Sequence, residues 1–179
     1  ITMERDDQHV IITLNSLESR NAMSAEMRDA LFEALCAVMD DPSQPRMTLK
    51  AEGRCFSTGG ALAEFGSAED LAKAHVIRTL RNGARIIHAL GVRAEVHTQG
   101  AAIGSGLELA AAAARRTASA NAWFHLPELA MGLIPGAGGT VTLPRAIGRH
   151  RAAWIALSGK KIGVKQALSL GLIHAITAS

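Results

Sequence analysis

Three glycine-rich turns constrain this chain more than any other feature of its sequence. They are Gly59-Gly60, Gly104-Ser105-Gly106 and the loop at residues 132–140. Glycine tolerates positive φ and lets the backbone approach a ligand closely, so N–H groups at such turns can point into a site. Taken alone, the Gly59-Gly60 turn is equally compatible with a plain connection from a strand to a loop.

The segments between these turns alternate between strand and helix patterns. Alternating β-branched residues predict a strand at residues 9–15, and Ser24 is a suitable cap for a helix whose apolar side chains recur on one face. Further strands are predicted at residues 46–52, 94–99 and 117–125, and further helices at 68–90, 107–114, 141–147, 151–158 and 164–170. Alternation of this kind predicts a single α/β domain over residues 1–179.

Composition and charge exclude several classes of function. Aromatic residues make up only 3% of the chain, Tyr is absent, and no run of Lys and Arg forms a basic stripe, which argues against nucleic-acid binding. No apolar run is long enough to span a membrane and no signal-peptide pattern is present, so we expect no membrane partner and a cytoplasmic protein. Cys36 and Cys55 fit neither a metal site nor a disulfide framework, and we expect both to be reduced and buried.

Two glutamates next to the glycine turns are the candidate catalytic residues. Glu108 falls in the first turn of the helix that follows Gly104-Ser105-Gly106, where the helix dipole favours an ionised carboxylate. Glu128 follows Pro127 between two leucines, and such an apolar setting raises a carboxyl pKa and makes the group a usable acid. Either residue alone could instead be structural, as a first-turn glutamate or as a surface glutamate that caps the glycine loop.

The third turn also raises the question of a nucleotide site. Gly136, Gly138 and Gly139 miss the G-x-G-x-x-G spacing of a dinucleotide-binding loop, and the acidic residue that such a loop requires is not in place. A phosphate-binding loop with its lysine is absent as well. The sequence therefore predicts neither kind of nucleotide site.

Four segments in order resemble the crotonase (enoyl-CoA hydratase/isomerase) family over residues 10–176. The segments are Leu14-Asn15 with Arg20-Asn21-Ala22-Met23, then Phe56-Ser57-Thr58-Gly59-Gly60-Ala61-Leu62, then Gly100-Ala101-Ala102-Ile103-Gly104-Ser105-Gly106-Leu107-Glu108, and finally Pro127-Glu128 with the loop at 132–140 and Leu143-Pro144-Arg145. The resemblance implies repeated ββα turns wound into a spiral, assembled as a homotrimer or a dimer of trimers. The usual C-terminal helical region is expected to be short or missing.

The resemblance also implies a site. The backbone N–H groups of Gly60 and Ser105 would form an oxyanion hole for a thioester oxygen, and Glu108 and Glu128 would be catalytic. The expected contacts with the acyl-CoA substrate are Arg20, Ala22, Gly60, Ala61, Leu62 and Gly104. The oxyanion hole supplies the electrophilic assistance, so neither a metal nor a cofactor besides the substrate's own coenzyme A is expected.

The sequence departs from the family pattern at several positions. Ala61 replaces the usual Asp, Ser105 replaces a glycine, and Arg115 and Arg116 follow the place of the usual Cys-Asp. His97 is interpreted as a tolerated strand histidine. The role of His125 stays undecided between the border of the acyl pocket and packing.

Enoyl-CoA hydration is the expected function. Glu108 would deprotonate the water that adds at C3, and Glu128 would deliver a proton to C2. Two alternatives remain: an enoyl-CoA isomerase in which one glutamate moves a proton between C2 and C4, and a non-catalytic protein that binds acyl-CoA. The acyl-chain length and the choice between coenzyme A and an acyl carrier protein stay undetermined.

Overall fold

The computed structural model describes residues 1–178, which form nine strands and seven α-helices. In chain order the strands are β1 (Thr2–Asp6), β2 (His9–Leu14), β3 (Arg46–Ala51), β4 (Ala94–Thr98), β5 (Ala101–Ile103), β6 (Arg115–Ser119), β7 (Trp123–His125), β8 (Ile162–Gly163) and β9 (Ala175–Thr177). The helices are α1 (Ala25–Met39), α2 (Leu71–Leu80), α3 (Gly83–Leu90), α4 (Ser105–Ala110), α5 (Gly139–Ile147), α6 (Arg149–Ser158) and α7 (Val164–Leu170).

The strands form two sheets that the chain visits in turn. The first sheet has six strands in the order β1-β2-β3-β4-β6-β9, parallel except for the β1–β2 pair, and the second has the order β5-β7-β8. Strands β4 and β6 pair in the first sheet, whereas β5 and β7, which follow them, pair in the second. Each of these turns therefore gives one strand to each sheet before its helix, which is the ββα winding expected from the sequence.

Helix α1 shows how a local pattern produces this fold. The Ser24 hydroxyl accepts a hydrogen bond from the Met27 N–H at 3.1 Å and caps the helix. Met27, Leu31, Leu35 and Val38 then recur on one face and are buried. They pack in the same core as the buried residues of β2 and β3, and each such side chain contributes roughly 1.5–3 kcal/mol through burial.

The predicted helix at 68–90 was wrong as a single element. It is two helices, α2 and α3, because the Asn82 side chain accepts a hydrogen bond from the Arg85 N–H and begins a new helix. No residue of α2 is buried, whereas Ala84, Ile87 and Leu90 of α3 are. Helix α2 therefore has no residue in the core, whereas one face of α3 packs in it.

Other boundaries also differ from the predictions. The strand expected at 117–125 is divided between β6 and β7, because the chain passes there from one sheet to the other. Strands β1, β5, β8 and β9 were not predicted. Cys36 and Cys55 are free thiols, as expected, but each is only partly buried. No helix within residues 1–178 has the length and apolar character needed to cross a membrane.

Arg116 is an unexpected buried cation, with 7% of its surface exposed. Its guanidinium donates hydrogen bonds to the backbone oxygens of Ala113, Gly171 and Leu172 at 2.6, 3.2 and 2.8 Å. These carbonyls lie just beyond the ends of α4 and α7, where helix dipoles favour positive charge. Arg116 thus connects the end of the helix that carries Glu108 to the last helix of the chain.

Candidate active site

One cleft of about 490 Å³ brings together most of the predicted site residues. Its lining includes both candidate glutamates, the turn at Gly59 and Gly60, and the start of α4. The third glycine-rich loop contributes Gly136 and Ala137. Three turns that are far apart in the sequence therefore border the same space.

The Gly59-Gly60 turn is held by an extended pairing with residue 23. The Met23 N–H donates to the Gly59 oxygen at 2.7 Å, and the Ala61 N–H donates to the Met23 oxygen at 3.3 Å. The two hydrogen bonds are made by the residues on either side of Gly60, Gly59 and Ala61. In such an extended pairing the N–H of the residue between them points away from Met23. Within residues 1–178 that N–H has no hydrogen-bond acceptor.

The start of α4 lies directly against this turn. A side chain at Gly59, whose φ is +91°, would place its Cβ 3.0 Å from the Ile103 oxygen and 3.8 Å from the Gly104 Cα. A Cβ on Gly106 would lie 2.7 Å from that of Ser57. The turns can approach each other this closely only because these positions are glycine.

Ser105 is the first residue of α4, after Gly104 as the N-cap. The first N–H groups of a helix have no partner within the helix, and the Ser105 N–H has none elsewhere in the part of the chain that the structure describes. The close approach of the two turns therefore brings the predicted oxyanion donors, Gly60 and Ser105, to one side of the cleft.

Glu108 is almost completely buried, with 1% of its surface exposed. Its Oε2 accepts hydrogen bonds from the N–H groups of Ala137 and Gly139 at 2.8 and 2.5 Å. The Thr142 hydroxyl donates to the Glu108 backbone oxygen at 3.0 Å and joins α5 to α4. The glycine-rich loop at residues 132–140 therefore holds Glu108 in place, although Glu108 follows the Gly104-Ser105-Gly106 turn in the chain.

The helix dipole was expected to favour the ionised form of Glu108, but the pKa of this residue is raised and not lowered. The pKa of Glu108 is raised to about 7, chiefly by burial and in part by the nearby Glu128 charge, against the opposing effect of the N–H groups of the 137–139 loop. Helix α4 has only 6 residues, and the loss of water around the carboxylate outweighs its dipole. A carboxyl group with a pKa near 7 is still a suitable general base at neutral pH.

Glu128 begins a short 3-10 helix, Glu128–Met131, and is half-buried. Its Oε1 lies against Gly104, where an added Cβ would come within 2.7 Å of that oxygen. Its Oε2 is buried and has no hydrogen-bond partner among the described residues. Burial is the main cause that raises the pKa of Glu128, which is the direction expected from its apolar neighbours.

The remaining predicted contacts divide into two groups. Ala61, Leu62 and Gly104 line the cleft, whereas Arg20 and Ala22 do not. Arg20 is exposed, and its backbone oxygen accepts a hydrogen bond from the Thr58 N–H at 3.3 Å. Arg20 therefore contacts the cleft wall through its backbone hydrogen bond with Thr58, and Ala22 precedes the lining residue Met23 in the chain.

Several cleft residues were not anticipated from the sequence. Arg28, Arg78 and Arg81 lie on the cleft wall, although their positions in polar helix faces gave no signal beyond solvent exposure. Ala137 and Gly139 were visible only as part of a glycine-rich loop. The glycine run indicated that this loop could present N–H groups. It did not indicate that Ala137 and Gly139 bind Glu108, because Glu108 lies 29 and 31 residues earlier in the chain.

His97 and His125 both lie outside the cleft lining. His97 contacts the hydroxyls of Thr117 and Ser119 across the β4–β6 pair at 3.0 and 3.2 Å, and burial lowers its pKa. His125 contacts the backbone oxygen of Gly159 at 2.9 Å. Both contacts are structural.

Comparison with known proteins points in one direction. The model of the enoyl-CoA hydratase/isomerase family matches residues 5–179. The chain is 32% identical over 179 residues to the 2,3-dehydroadipyl-CoA hydratase of Escherichia coli, covering 100% of this chain and 69% of that protein. It is 32% identical over 171 residues to the enoyl-CoA isomerase/hydratase fer4 of Mycosarcoma maydis, covering 90% of this chain and 62% of that protein.

A solved structure agrees with these sequence matches. The enoyl-CoA hydratase of Thermoplasma volcanium superposes with a TM-score of 0.87 at 31% identity, covering 98% of this chain and 71% of that one. The predicted crotonase-like α/β fold is therefore confirmed. The chain spans roughly two thirds of the length of these relatives, at 69%, 62% and 71%.

Proposed function

Because this chain belongs to the enoyl-CoA hydratase/isomerase family, we propose that it hydrates a 2-enoyl-CoA thioester by syn addition of water across the C2=C3 bond. One observation carries the proposal: two carboxyl groups with different hydrogen bonding border the same cleft as two N–H groups without partners. Such a set can polarise a thioester and exchange protons with it at the same time.

The N–H groups of Gly60 and Ser105 hold the thioester oxygen in this mechanism. Addition of water at C3 moves negative charge onto that oxygen, so the donors bind the transition state more strongly than the substrate. Each donor of a preformed oxyanion hole contributes about 3–4 kcal/mol to lowering the barrier.

Glu108 acts as the general base and Glu128 as the general acid. Water forms its bond to C3 as the Glu108 carboxylate takes one of its protons, and the C2=C3 electrons move towards the thioester oxygen. Glu128 then delivers its proton to C2 and becomes a carboxylate. Return of a proton from Glu108 to Glu128 through solvent restores the starting state.

The hydrogen bonds of the two carboxyl groups support this division of roles. Two N–H groups at Oε2 favour the ionised form of Glu108, whereas the buried Oε2 of Glu128 has no donor to stabilise a charge. The basis for the division therefore differs from the helix dipole that the sequence suggested.

Coenzyme A would bind along the cleft wall. The backbone from Gly60 to Leu62 lines the cleft, and in this proposal it contacts the pantetheine. Arg28 and Arg81 are engaged by Asp29, whereas Arg78 has no acidic partner within 4.0 Å in residues 1–178. We propose Arg78, which lines the cleft, in place of Arg20, which does not, as the cation available to an anionic part of the substrate.

Isomerisation is the second candidate, and the unpartnered Oε2 of Glu128 favours it because a single such group can carry a proton between C2 and C4. The test compares wild type, Glu108→Gln and Glu128→Gln on crotonyl-CoA, by loss of enoyl absorbance, and on a 3-enoyl-CoA. A hydratase loses about 100-fold or more in kcat with either variant. An isomerase converts the 3-enoyl substrate and keeps that activity in Glu108→Gln.

Binding of acyl-CoA without turnover of either substrate would contradict both reactions and support a non-catalytic role. Glu69→Gln, on an exposed loop, is the matched control and should behave as wild type. Assembly as a trimer, independence from metals and cofactors, and a cytoplasmic location stay predictions.

A further inference from the structure

The hydroxyl of Ser105 is a buried group that the mechanism above does not use. Among the buried side-chain nitrogen and oxygen atoms of residues 1–178, only Ser105 Oγ and Glu128 Oε2 lack a hydrogen-bond partner. Both residues line the same cleft. A buried hydroxyl without a partner costs free energy, so its presence here calls for a ligand that satisfies it.

The neighbours of Ser105 narrow what that ligand can be. Glu108 lies three residues further along α4, on the same helix face, and the preceding residue, Gly104, lies against Glu128 Oε1. Ser105 Oγ and Glu128 Oε2 do not bond to each other, since each is without a partner. Ser105 therefore lines the same cleft as both carboxyl groups, where the reacting part of a substrate would lie.

A structural explanation for the hydroxyl does not fit. Gly104, and not Ser105, is the N-cap of α4, so Ser105 does not cap its helix. The nearby Ser57 shows the contrast, because its hydroxyl donates to the Asn21 oxygen at 2.7 Å and accepts from the Gly59 N–H at 3.2 Å. Ser57 is used within the fold, and Ser105 is not.

We propose that the Ser105 hydroxyl is a third donor to the thioester oxygen, beside the N–H groups of Ser105 and Gly60. The N and Oγ atoms of one serine are roughly 3 Å apart by covalent geometry, so both can donate to a single oxygen. Side chains at the start of a helix tilt towards its N-terminus, the direction in which the free N–H also points. The inference rests on the proposed thioester chemistry and adds a catalytic residue to it.

Ser105→Ala separates the hydroxyl from the backbone donor, because the N–H stays in place. We expect kcat/KM to fall roughly 10- to 100-fold with little change in KM, since the oxygen becomes charged only in the transition state. Ser105→Thr keeps a hydroxyl and should recover a large part of the activity. Ser119→Ala, at a buried serine that contacts His97 outside the cleft, is the matched control and should leave kcat/KM unchanged.

A second measurement reads the oxygen itself without turnover. Acetoacetyl-CoA bound in the cleft ionises to an enolate with its own ultraviolet absorbance, and its charge lies on the thioester and ketone oxygens. Loss of one donor should raise the pH at which the bound ligand ionises by about one to two units, which corresponds to the same 10- to 100-fold change. Thermal unfolding of each variant checks that the fold is intact.

The outcomes distinguish this inference from the proposed function. If wild type converts neither enoyl substrate, the proposed reactions fail, while the acetoacetyl-CoA titration still tests Ser105. If Ser105→Ala matches wild type in kcat/KM and in ionisation of the bound ligand, the inference is wrong. A loss of activity with an unchanged ionisation pH would equally overturn it, because the hydroxyl then does not reach the oxygen.

Discussion

Glu108→Gln should make the protein more stable at alkaline pH. The pKa of Glu108 rises from an ordinary 4.5 to about 7 in the folded protein, chiefly because the carboxyl group is buried. A rise of this size corresponds to about 3 kcal/mol of lost stability once both folded and unfolded states are ionised. Glutamine never ionises, and its amide oxygen can accept the same two N–H groups, so the variant escapes this cost.

The direction of the pH dependence follows from the two pKa values. Below 4.5 the carboxyl group is protonated in both states, and wild type carries no penalty. Between 4.5 and about 7 the unfolded chain loses the proton while the folded protein keeps it, so wild type loses stability as the pH rises. The advantage of the variant should therefore be near zero at about pH 4 and complete at about pH 8.

Chemical denaturation near pH 8 and near pH 4 measures this advantage directly. The upper limit is about 3 kcal/mol, because N–H groups bond a carboxylate more strongly than an amide oxygen. In thermal unfolding this corresponds to roughly 6–12 °C for a domain of this size. Glu69→Gln removes the same charge from an exposed loop and should show no comparable gain. A Glu108→Gln protein that is less stable than wild type at both pH values would refute the reasoning.

Further consequences concern activity and packing. The kcat/KM profile for hydration should rise as the pH approaches 7, because Glu108 must be ionised to accept a proton; a flat profile over this range would contradict the role assigned to Glu108. Gly139→Ala should lower kcat about 100-fold or more, because its Cβ would lie 2.6 Å from Glu108 Cγ, whereas Gly163→Ala, with no atom within 4 Å, should keep wild-type kinetics. Asn21→Ala should cost about 3 kcal/mol in denaturant unfolding, because Asn21 is 1% exposed and bonds the backbone at residues 16, 52 and 55; a cost below about 1 kcal/mol would show that water replaces these bonds.

The sequence predicted those helices and strands in which the spacing of apolar residues matches the face that is buried. Helix α1, with its Ser24 cap and its stripe from Met27 to Val38, was expected in full, and the parallel strands followed from their apolar alternation. The break between α2 and α3 was missed because the apolar pattern continues through Asn82, and only tertiary contacts decide which half is buried.

The expected ionisation of Glu108 was missed for a similar reason. The residues themselves were visible from the sequence, but the pKa of Glu108 depends on burial and on N–H groups that lie 29 and 31 residues later. A first-turn position indicates a favourable dipole, and it carries no information about the water that the fold removes. Arg116 was noted only as a departure, since its carbonyl partners at 171 and 172 come from the other end of the chain.

All three glycine-rich turns present backbone N–H groups that can bind a negatively charged oxygen. The proposed oxygen belongs to the substrate at two of the turns and to Glu108 at the third. At Gly60 and Ser105 the turns leave N–H groups without partners and so make them available to a substrate oxygen. At Ala137 and Gly139 the same kind of turn directs its N–H groups at the protein's own Glu108. Because those two N–H groups bind only one oxygen of Glu108 and none binds Oε2 of Glu128, the proposed base and the proposed acid are distinguished by their hydrogen-bond donors. The glycines at 104 and 139 are therefore as necessary to the proposed chemistry as the carboxyl groups, since a side chain at either position would occupy the place of a glutamate oxygen.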